Sequence, residues 1–463
     1  MPKFAKTIEY LFYLFIFSLP WQTRWIWHYG SLNGGQSEYL TFSLYATEIL
    51  LWLILFLTII YKIKIKDEEA GILNYKILDF YILFGLLVIV SGLSIIWAQD
   101  KQVAFYYLIK MLEGLALLIF IINFKLSFKK VGLAIVASGF VQGVLAISQF
   151  VSQKVWVSKW LGMAEQLTQT LGTSVVEANG TRWLRAYGSF AHPNILAGCL
   201  VVSCLFLVVL LILSKHKWEK VFLWICWPII LAGLFFTFSK SAFLALGIGF
   251  LFLSIFIFLS YENKAKIILS QLIGSGFLVL AVLTLFYSQS VFTRINGEER
   301  LEQKSMTERT LYFEQAKDLI QANWLKGVGL GNYTLALFNY LPAKQPVWFY
   351  QPVHNVYVLA AVELGILGFI IFVLIIINIL RKIWDFKIDY NLKLLAIFRN
   401  FKSKEIYHHY KNHFFWFLGL TGVLIAILIL MAFDHFFWTM WFGIALWWMC
   451  LGLWLKGTQI NTN

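Results

Sequence analysis

The sequence predicts an all-α polytopic integral membrane protein of about twelve transmembrane helices, on three observations. Only 13% of its 463 residues are charged, against about 25% in soluble domains, and 60% are hydrophobic. Apolar runs long enough to cross about 30 Å of hydrocarbon recur from end to end. Lysine and arginine collect between alternate runs, as membrane insertion requires. No stretch of mixed pattern is long enough to form a separate soluble domain, so residues 1–463 are read as one transmembrane domain.

The runs lie near 8–20, 40–61, 77–98, 103–123, 131–151, 191–213, 221–238, 241–260, 267–286, 356–380, 414–433 and 436–455. The first begins near Ile8, after Lys3 and Lys6. That start resembles a signal peptide, but no small-residue cleavage site follows, so it is read as a span. With a cytoplasmic N-terminus, the inner loops carry Lys62, Lys64, Lys66 and Lys76, then Lys125, Lys129 and Lys130. They continue with Lys215, Lys217 and Lys220, then Lys264 and Lys266, then eight basic residues in a 381–413 loop. The short outer loops hold only Arg24, Lys101 and Lys240. Both termini are therefore expected on the cytoplasmic side, and the inner lysines are read as topology signals.

Two outer segments are longer, 152–190 and 287–355, and long loops cross largely regardless of charge. They hold Arg182, Arg185, Arg294, Arg300 and Arg309, while the inner loops hold only Arg381 and Arg399 as arginines. The planar guanidinium fork suits phosphate and carboxylate recognition. Ser305 to Glu308 fits a capping box, which predicts a helix from there to about Ala322. Helical spacing puts Arg309, Phe313, Ala316 and Ile320 on one packed face, where an arginine needs an anionic partner. The glycines at 327, 329 and 331 then end the helix and permit positive φ. They are not a dinucleotide fingerprint, because no strand precedes them.

The four cysteines, Cys199, Cys204, Cys226 and Cys450, all lie in apolar runs, so neither a disulfide framework nor a CxxC metal site is expected. The net charge of +14 resides in the inter-span loops, which argues against nucleic acid as a partner. The outer acids Glu298, Glu299 and Glu302 beside Arg294 and Arg300 read as a solvated, salt-bridged face. Glu48, Glu113 and Glu363 lie within apolar runs, where acids face a cavity or a partner. Trp324, Trp348 and Tyr350 are aromatic candidates for stacking on a glycan.

An ordered series of motifs runs through the middle of the chain. RAYGSFAHPN, from Arg185 to Asn194, leads into the sixth span, and TFSKSA, from Thr237, joins two spans. Glu308 and Arg309 follow, then GVGLG from Gly327, HNVY from His354, and ELGILG from Glu363 to Gly368. In order, spacing and outer placement the series resembles the O-antigen ligase/polymerase family of bacterial membrane glycosyltransferases, over roughly residues 180–370.

The resemblance implies a GT-C-type helical architecture, with a long outer catalytic loop at 287–355 before the tenth span. It implies transfer of a glycan from an undecaprenyl-diphosphate carrier to an acceptor hydroxyl at the outer face of the bacterial cytoplasmic membrane. The acceptor is a glycan, a lipid or a protein. By position, Arg309 and Lys240 become diphosphate contacts and His354 the base, with Arg185, Asn355 and Glu363 as further substrate-binding candidates. Lys240 stands where the family usually has arginine, keeping the charge but losing the bidentate fork.

The outer loops carry no Asp-x-Asp pair, so the expected mechanism needs no metal or other cofactor, and fixed cations stabilise the leaving group. A helix start at His354 keeps the ring neutral and able to accept a proton, and Asn355 fits a cap. His192 and Asn194 read as shaping the start of the sixth span, and Asp434 and His435 as a pair at the last outer turn. Ligase, polymerase and protein O-oligosaccharyltransferase share these motifs. A transporter or flippase of lipid-linked glycans is the alternative of another class, and it lacks the internal repeat usual for that class.

Overall fold

The computed structural model describes residues 3–65, 77–178, 180–260, 262–297, 299–399 and 404–459. It is mostly helical, at 73%. Helices α2 (Ala46–Ile65), α4 (Lys101–Asn123), α5 (Phe128–Ser152), α6 (Pro193–Leu213) and α7 (Lys217–Phe235) are long and apolar enough to cross a membrane. So are α8 (Lys240–Leu259), α9 (Asn263–Phe286), α13 (Val356–Arg399) and α14 (Lys404–Met431), which makes nine among the described residues. Three other apolar helices, α1 (Lys3–Ser18), α3 (Leu78–Ser94) and α16 (Trp441–Gln459), stand where the first, third and last runs were expected. The chain is a multi-pass, all-α membrane protein.

Helix α6 forms the centre of one half of the bundle. Its most hydropathic window is wholly buried, behind α5, α7, α8, α9 and α14. In lipid, tails are as apolar as leucine, so helices are held by close packing rather than by water exclusion. Small residues supply that closeness. A Cβ on Gly139 would lie 2.3 Å from Ser203 Oγ of α6, and one on Gly233 of α7 would lie 2.8 Å from the Gly143 backbone of α5.

The buried charges of α2 and α4 are paired. Lys110 of α4 meets Glu48 of α2 and lies 3.8 Å from Glu113, which also accepts a hydrogen bond from Trp52 Nε1 at 2.9 Å. Glu48 and Glu113 thus serve this two-helix network.

The connections that lead into α2 and α6 contain strands that hydropathy did not reveal, and they touch each other, Gln22 N donating to Leu161 O at 3.0 Å. In 21–45, β1 (Arg24–His28) pairs antiparallel with β4 (Phe42–Tyr45), and β2 (Ser31–Leu32) pairs with β3 (Gly35–Gln36). In 152–190, β5 (Lys154–Val155) pairs with β6 (Gln166–Leu167), and β7 (Val175–Ala178) with β8 (Thr181–Leu184). The 287–355 segment holds α10 (Ser288–Asn296), α11 (Arg300–Asn323) and α12 (Tyr333–Tyr340).

Four local expectations are corrected. Helix α11 begins at Arg300, so Ser305 to Glu308 lies inside it and is not its cap. Its buried face is Glu302, Tyr312, Gln315, Ala316 and Leu319, while Phe313 is exposed. The last run is interrupted, with a short α15 (Phe436–Thr439) before α16, because Met440 is extended. The 381–413 segment is helical to Arg399 and again from Lys404, and residues 400–403 lie outside the described ones. Lys66, Lys76 and Glu298 also lie outside them.

Within α13 the helix breaks at Gly365, whose φ of 64° and ψ of −168° suit only glycine. A break inside a span frees backbone groups that lipid cannot satisfy. The glycine-rich strap satisfies them: Val328 N donates to Val362 O and Gly329 N to Glu363 O, both at 2.9 Å. In return Ile366 N donates to Trp324 O, also at 2.9 Å. Gly327 and Gly365 must lack side chains, since a Cβ on either would approach the other segment's backbone within 2.3–2.4 Å.

Candidate active site

A cavity of about 500 Å³ opens where the 152–190 and 287–355 segments meet the ends of α6 and α14. That volume is in the range of ordinary small-molecule sites, about 300–1,000 Å³. Arg185, Arg294 and Arg309 line it together with Glu302, Tyr312 and His354. His192, Asn194, Asp434 and His435 complete the wall beside Tyr39 and Gln351.

Arg185 follows β8 and is buried. Its Nε donates to Thr237 O at 2.7 Å, and its two terminal nitrogens donate to Ser174 Oγ at 3.0 Å and Asn194 Oδ1 at 2.8 Å. The RAYGSFAHPN and TFSKSA motifs are therefore joined by one guanidinium. Burial, with Arg294 nearby, lowers its pKa to about 9, which leaves it cationic at neutral pH. Phe238 in the same turn has a φ of 48°, and its carbonyl accepts from Arg294 Nε at 3.2 Å and from an Arg294 terminal nitrogen at 2.9 Å. Arg294 also pairs with buried Glu302, and Lys240 lies 3.7 Å from the same carboxylate. The acid–arginine cluster is thus partly internal, not a wholly solvated face. Lys240 is half exposed and reaches the cavity only through Glu302.

Arg309, half-buried on α11, has no ion-pair partner among the described residues. His354 shares its cavity. The His354 ring stacks on Tyr312 with centroids 5.5 Å apart and planes 11° apart, and meets His435 edge-on at 5.0 Å. Its Nδ1 is buried and has no hydrogen-bond partner among the described residues. Burial lowers the His354 pKa from the ordinary 6.5, Asp434 opposes that shift, and Arg309 adds to it. The ring is neutral at pH 7.

The opposite wall is a histidine–aspartate cluster. Asp434 Oδ2 accepts from Asn194 Nδ2 at 3.1 Å, and its Oδ1 accepts from His435 N at 2.8 Å. Burial would raise the Asp434 pKa, but interaction with His354, His435 and His192 and the hydrogen bond from Asn194 outweigh it and lower the pKa from the ordinary value. His435 Nδ1 lies 2.8 Å from Thr439 Oγ1, and its Nε2 lies 3.5 Å from the Tyr39 hydroxyl. That hydroxyl donates to Gln351 Oε1 at 2.8 Å. His192 Nδ1 caps α6 by accepting from Asn194 N at 3.2 Å. Burial drives the pKa of His192 and His435 to about 3. Among the described residues no three His, Cys, Asp or Glu side chains are placed to hold a metal ion.

Of the residues read from the sequence, His354, Arg309 and Arg185 are brought together, and Lys240 borders them. Asn355 and Glu363, read from the sequence as further substrate-binding candidates, are not among the residues that line the cavity. Asn355 Oδ1 caps α13 by accepting from Val358 N at 3.0 Å, and its Nδ2 donates to Ala432 O at 3.0 Å. Glu363 is buried and accepts from Trp438 Nε1 at 2.8 Å, facing the backbone of the glycine strap. Trp324 and Trp348 are exposed, and Tyr350 is buried. Sequence reasoning missed Arg294, Tyr312, Tyr39 and Gln351 as site residues, and leaned to structural roles for His192, Asp434 and His435. For Arg294 the outer-face bias toward arginine was the available signal.

Residues 225–373 match the family model described as O-antigen ligase. The match contains Lys240, Arg294, Arg309 and His354, and supports the O-antigen ligase/polymerase family. Arg185, His192, Asp434 and His435 fall outside it. No curated protein matches the chain.

Proposed function

We propose that this chain, placed by its match with the O-antigen ligases and polymerases, transfers a glycan from a lipid diphosphate carrier to an acceptor hydroxyl. One observation carries the reading: Arg309, without an anionic partner among the described residues, shares a cavity with Arg185, Arg294 and a neutral His354. A half-buried cation without a counter-ion favours an anionic ligand. A neutral imidazole with a free ring nitrogen is a competent base at pH 7.

In this mechanism the carrier's prenyl tail lies among the spans and its diphosphate meets Arg309, Arg294 and Arg185. Lys240 adds charge at the margin. His354 Nδ1 takes the proton of the acceptor O–H as that oxygen bonds to the anomeric carbon. The bond from that carbon to the diphosphate oxygen breaks, its electron pair stays on the diphosphate, and configuration inverts. The arginines stabilise the charge that develops there, so no metal is called on. Asp434 lies close enough to favour the imidazolium that forms. The site faces the outer side of the cytoplasmic membrane, and undecaprenyl diphosphate is the carrier.

The test compares wild type with His354→Ala and Arg309→Ala at matched expression, in membranes supplied with lipid-linked glycan. Each variant is expected to lose about 100–1,000-fold in transfer, with the lipid-linked donor accumulating. Normal transfer by both would remove this site and favour the transporter reading. Activity abolished by a chelator and restored by a divalent ion would overturn the metal-free step.

A further inference from the structure

A second pocket, of about 160 Å³, lies at the opposite end of the bundle. It is bounded by the first two turns of α5 and α7, the last turn of α6, and α14 around Asn412 and Trp416, whereas the candidate active site lies at the first turn of α6. Its mouth is polar, with Lys129, Lys215, His216, Ser214, Glu219 and Asn412, and its back is leucine-lined, with Trp416 at one side. The volume falls below the usual small-molecule range of about 300–1,000 Å³, so it suits a headgroup rather than a whole substrate.

The charges favour an anion. Glu219 is buried and already engaged, accepting from Ser214 Oγ at 2.8 Å and pairing with Lys129. Lys215 is exposed at the mouth and has no ion-pair partner among the described residues. The lysine and glutamate side chains of the pocket therefore leave one net positive charge. Beside it, α7 presents Trp218, Val221 and Ile225 outward at i, i+3 and i+7, all more than half exposed. This stripe gives an acyl chain a surface continuous with the pocket.

We propose that this pocket binds the headgroup of an anionic glycerophospholipid, with Lys215 and Lys129 on its phosphate and an acyl chain along the α7 stripe. Basic pockets between transmembrane helices are a recurring solution for anionic headgroups. The assignment does not depend on the transfer reaction.

The test uses the full chain purified in mild detergent and returned to phosphatidylcholine vesicles with or without phosphatidylglycerol. Readouts are thermal unfolding and phospholipid retained on re-extraction, measured by mass spectrometry. Phosphatidylglycerol is expected to raise the Tm and to be retained. Lys215→Gln should weaken retention about fivefold, near the contribution of one interfacial lysine. The paired change Lys129→Gln with Glu219→Gln, which strands no buried charge, should weaken it similarly. Lys217→Gln, on the same end but outside the pocket lining, should leave it unchanged. Equal losses at Lys215 and Lys217 would mean diffuse surface attraction and overturn the site. So would equal stabilisation by both lipids, or full stabilisation by soluble glycerol phosphate, which would identify a free anion instead.

Discussion

His354 and Arg309 interact across the cavity, and that interaction has a measurable sign. In the proposed mechanism His354 must be neutral to act as base, so activity is expected above its pKa and is lost as pH falls through it. With the pKa lowered from 6.5, the acid limb of the rate profile should lie below pH 6.5. Arg309→Gln removes a cation that lowers that pKa, so its residual activity should show an acid limb at higher pH. An unmoved limb would separate the two residues. Glu302 makes a second prediction. Its single carboxylate engages Arg294 and Lys240, in competition with an incoming diphosphate. Glu302→Gln should tighten inhibition by undecaprenyl diphosphate about tenfold, or about 1.4 kcal/mol, while Arg294 keeps its bonds to Phe238 O. Weaker inhibition would show that the acid mainly positions the arginine. At this scale sequence was informative where a residue's type is costly in its setting. An outer arginine on a packed helix face singled out Arg309, which lines the cavity. Asp434 and His435 were ambiguous because their importance comes from Asn194 and His192, more than 230 positions away, and no local pattern encodes that meeting.

The elements that hold the site are a broken span and a glycine strap. Gly365→Ala would place a Cβ 2.4 Å from Leu325 O in a backbone region natural only to glycine. The conformational strain alone costs about 1–3 kcal/mol. The expected result is a lower detergent-solubilised Tm and a loss of transfer. Gly274→Ala on α9, where a Cβ meets nothing within 4 Å, should leave both intact. The glycines at 327, 329 and 331 were legible as a helix stop with positive φ, and all three adopt it. That the strap completes the interrupted hydrogen bonds of α13 was not legible, because the apolar run resumes at once on either side of Glu363 and Gly365 and passes for one continuous span. The strands of 21–45 and 152–190 were missed for a related reason: most are two to four residues long, too short to show an alternating pattern.

For the whole molecule, the alternation of lysine-rich and lysine-poor ends makes a topology prediction. Leu171 is 94% exposed in the segment leading to the candidate site, and Lys217 lies at the opposite end of the bundle. With the native cysteines buried, an added Leu171→Cys should react with an impermeant maleimide from outside intact spheroplasts, and Lys217→Cys should react only after permeabilisation. The reverse pattern would invert the chain and move the site to the cytoplasm. The multi-pass class was readable because the bilayer imposes length and hydropathy on every span. Which spans meet lipid was not readable. Helix α6 has the highest hydropathy of the nine candidate spans, 3.2, and the described chain walls it off completely. A segment this apolar enters the bilayer early in synthesis, yet one of the helices that encloses it, α14, is made some 190 residues later. Until then the flank that carries Gly198 and Val209, which meets Leu430 and Gly419 of α14, must rest against lipid, a provisional neighbour. The nascent chain therefore passes through a half-closed stage, and that is the stage at which a membrane chaperone or quality-control protease would meet it.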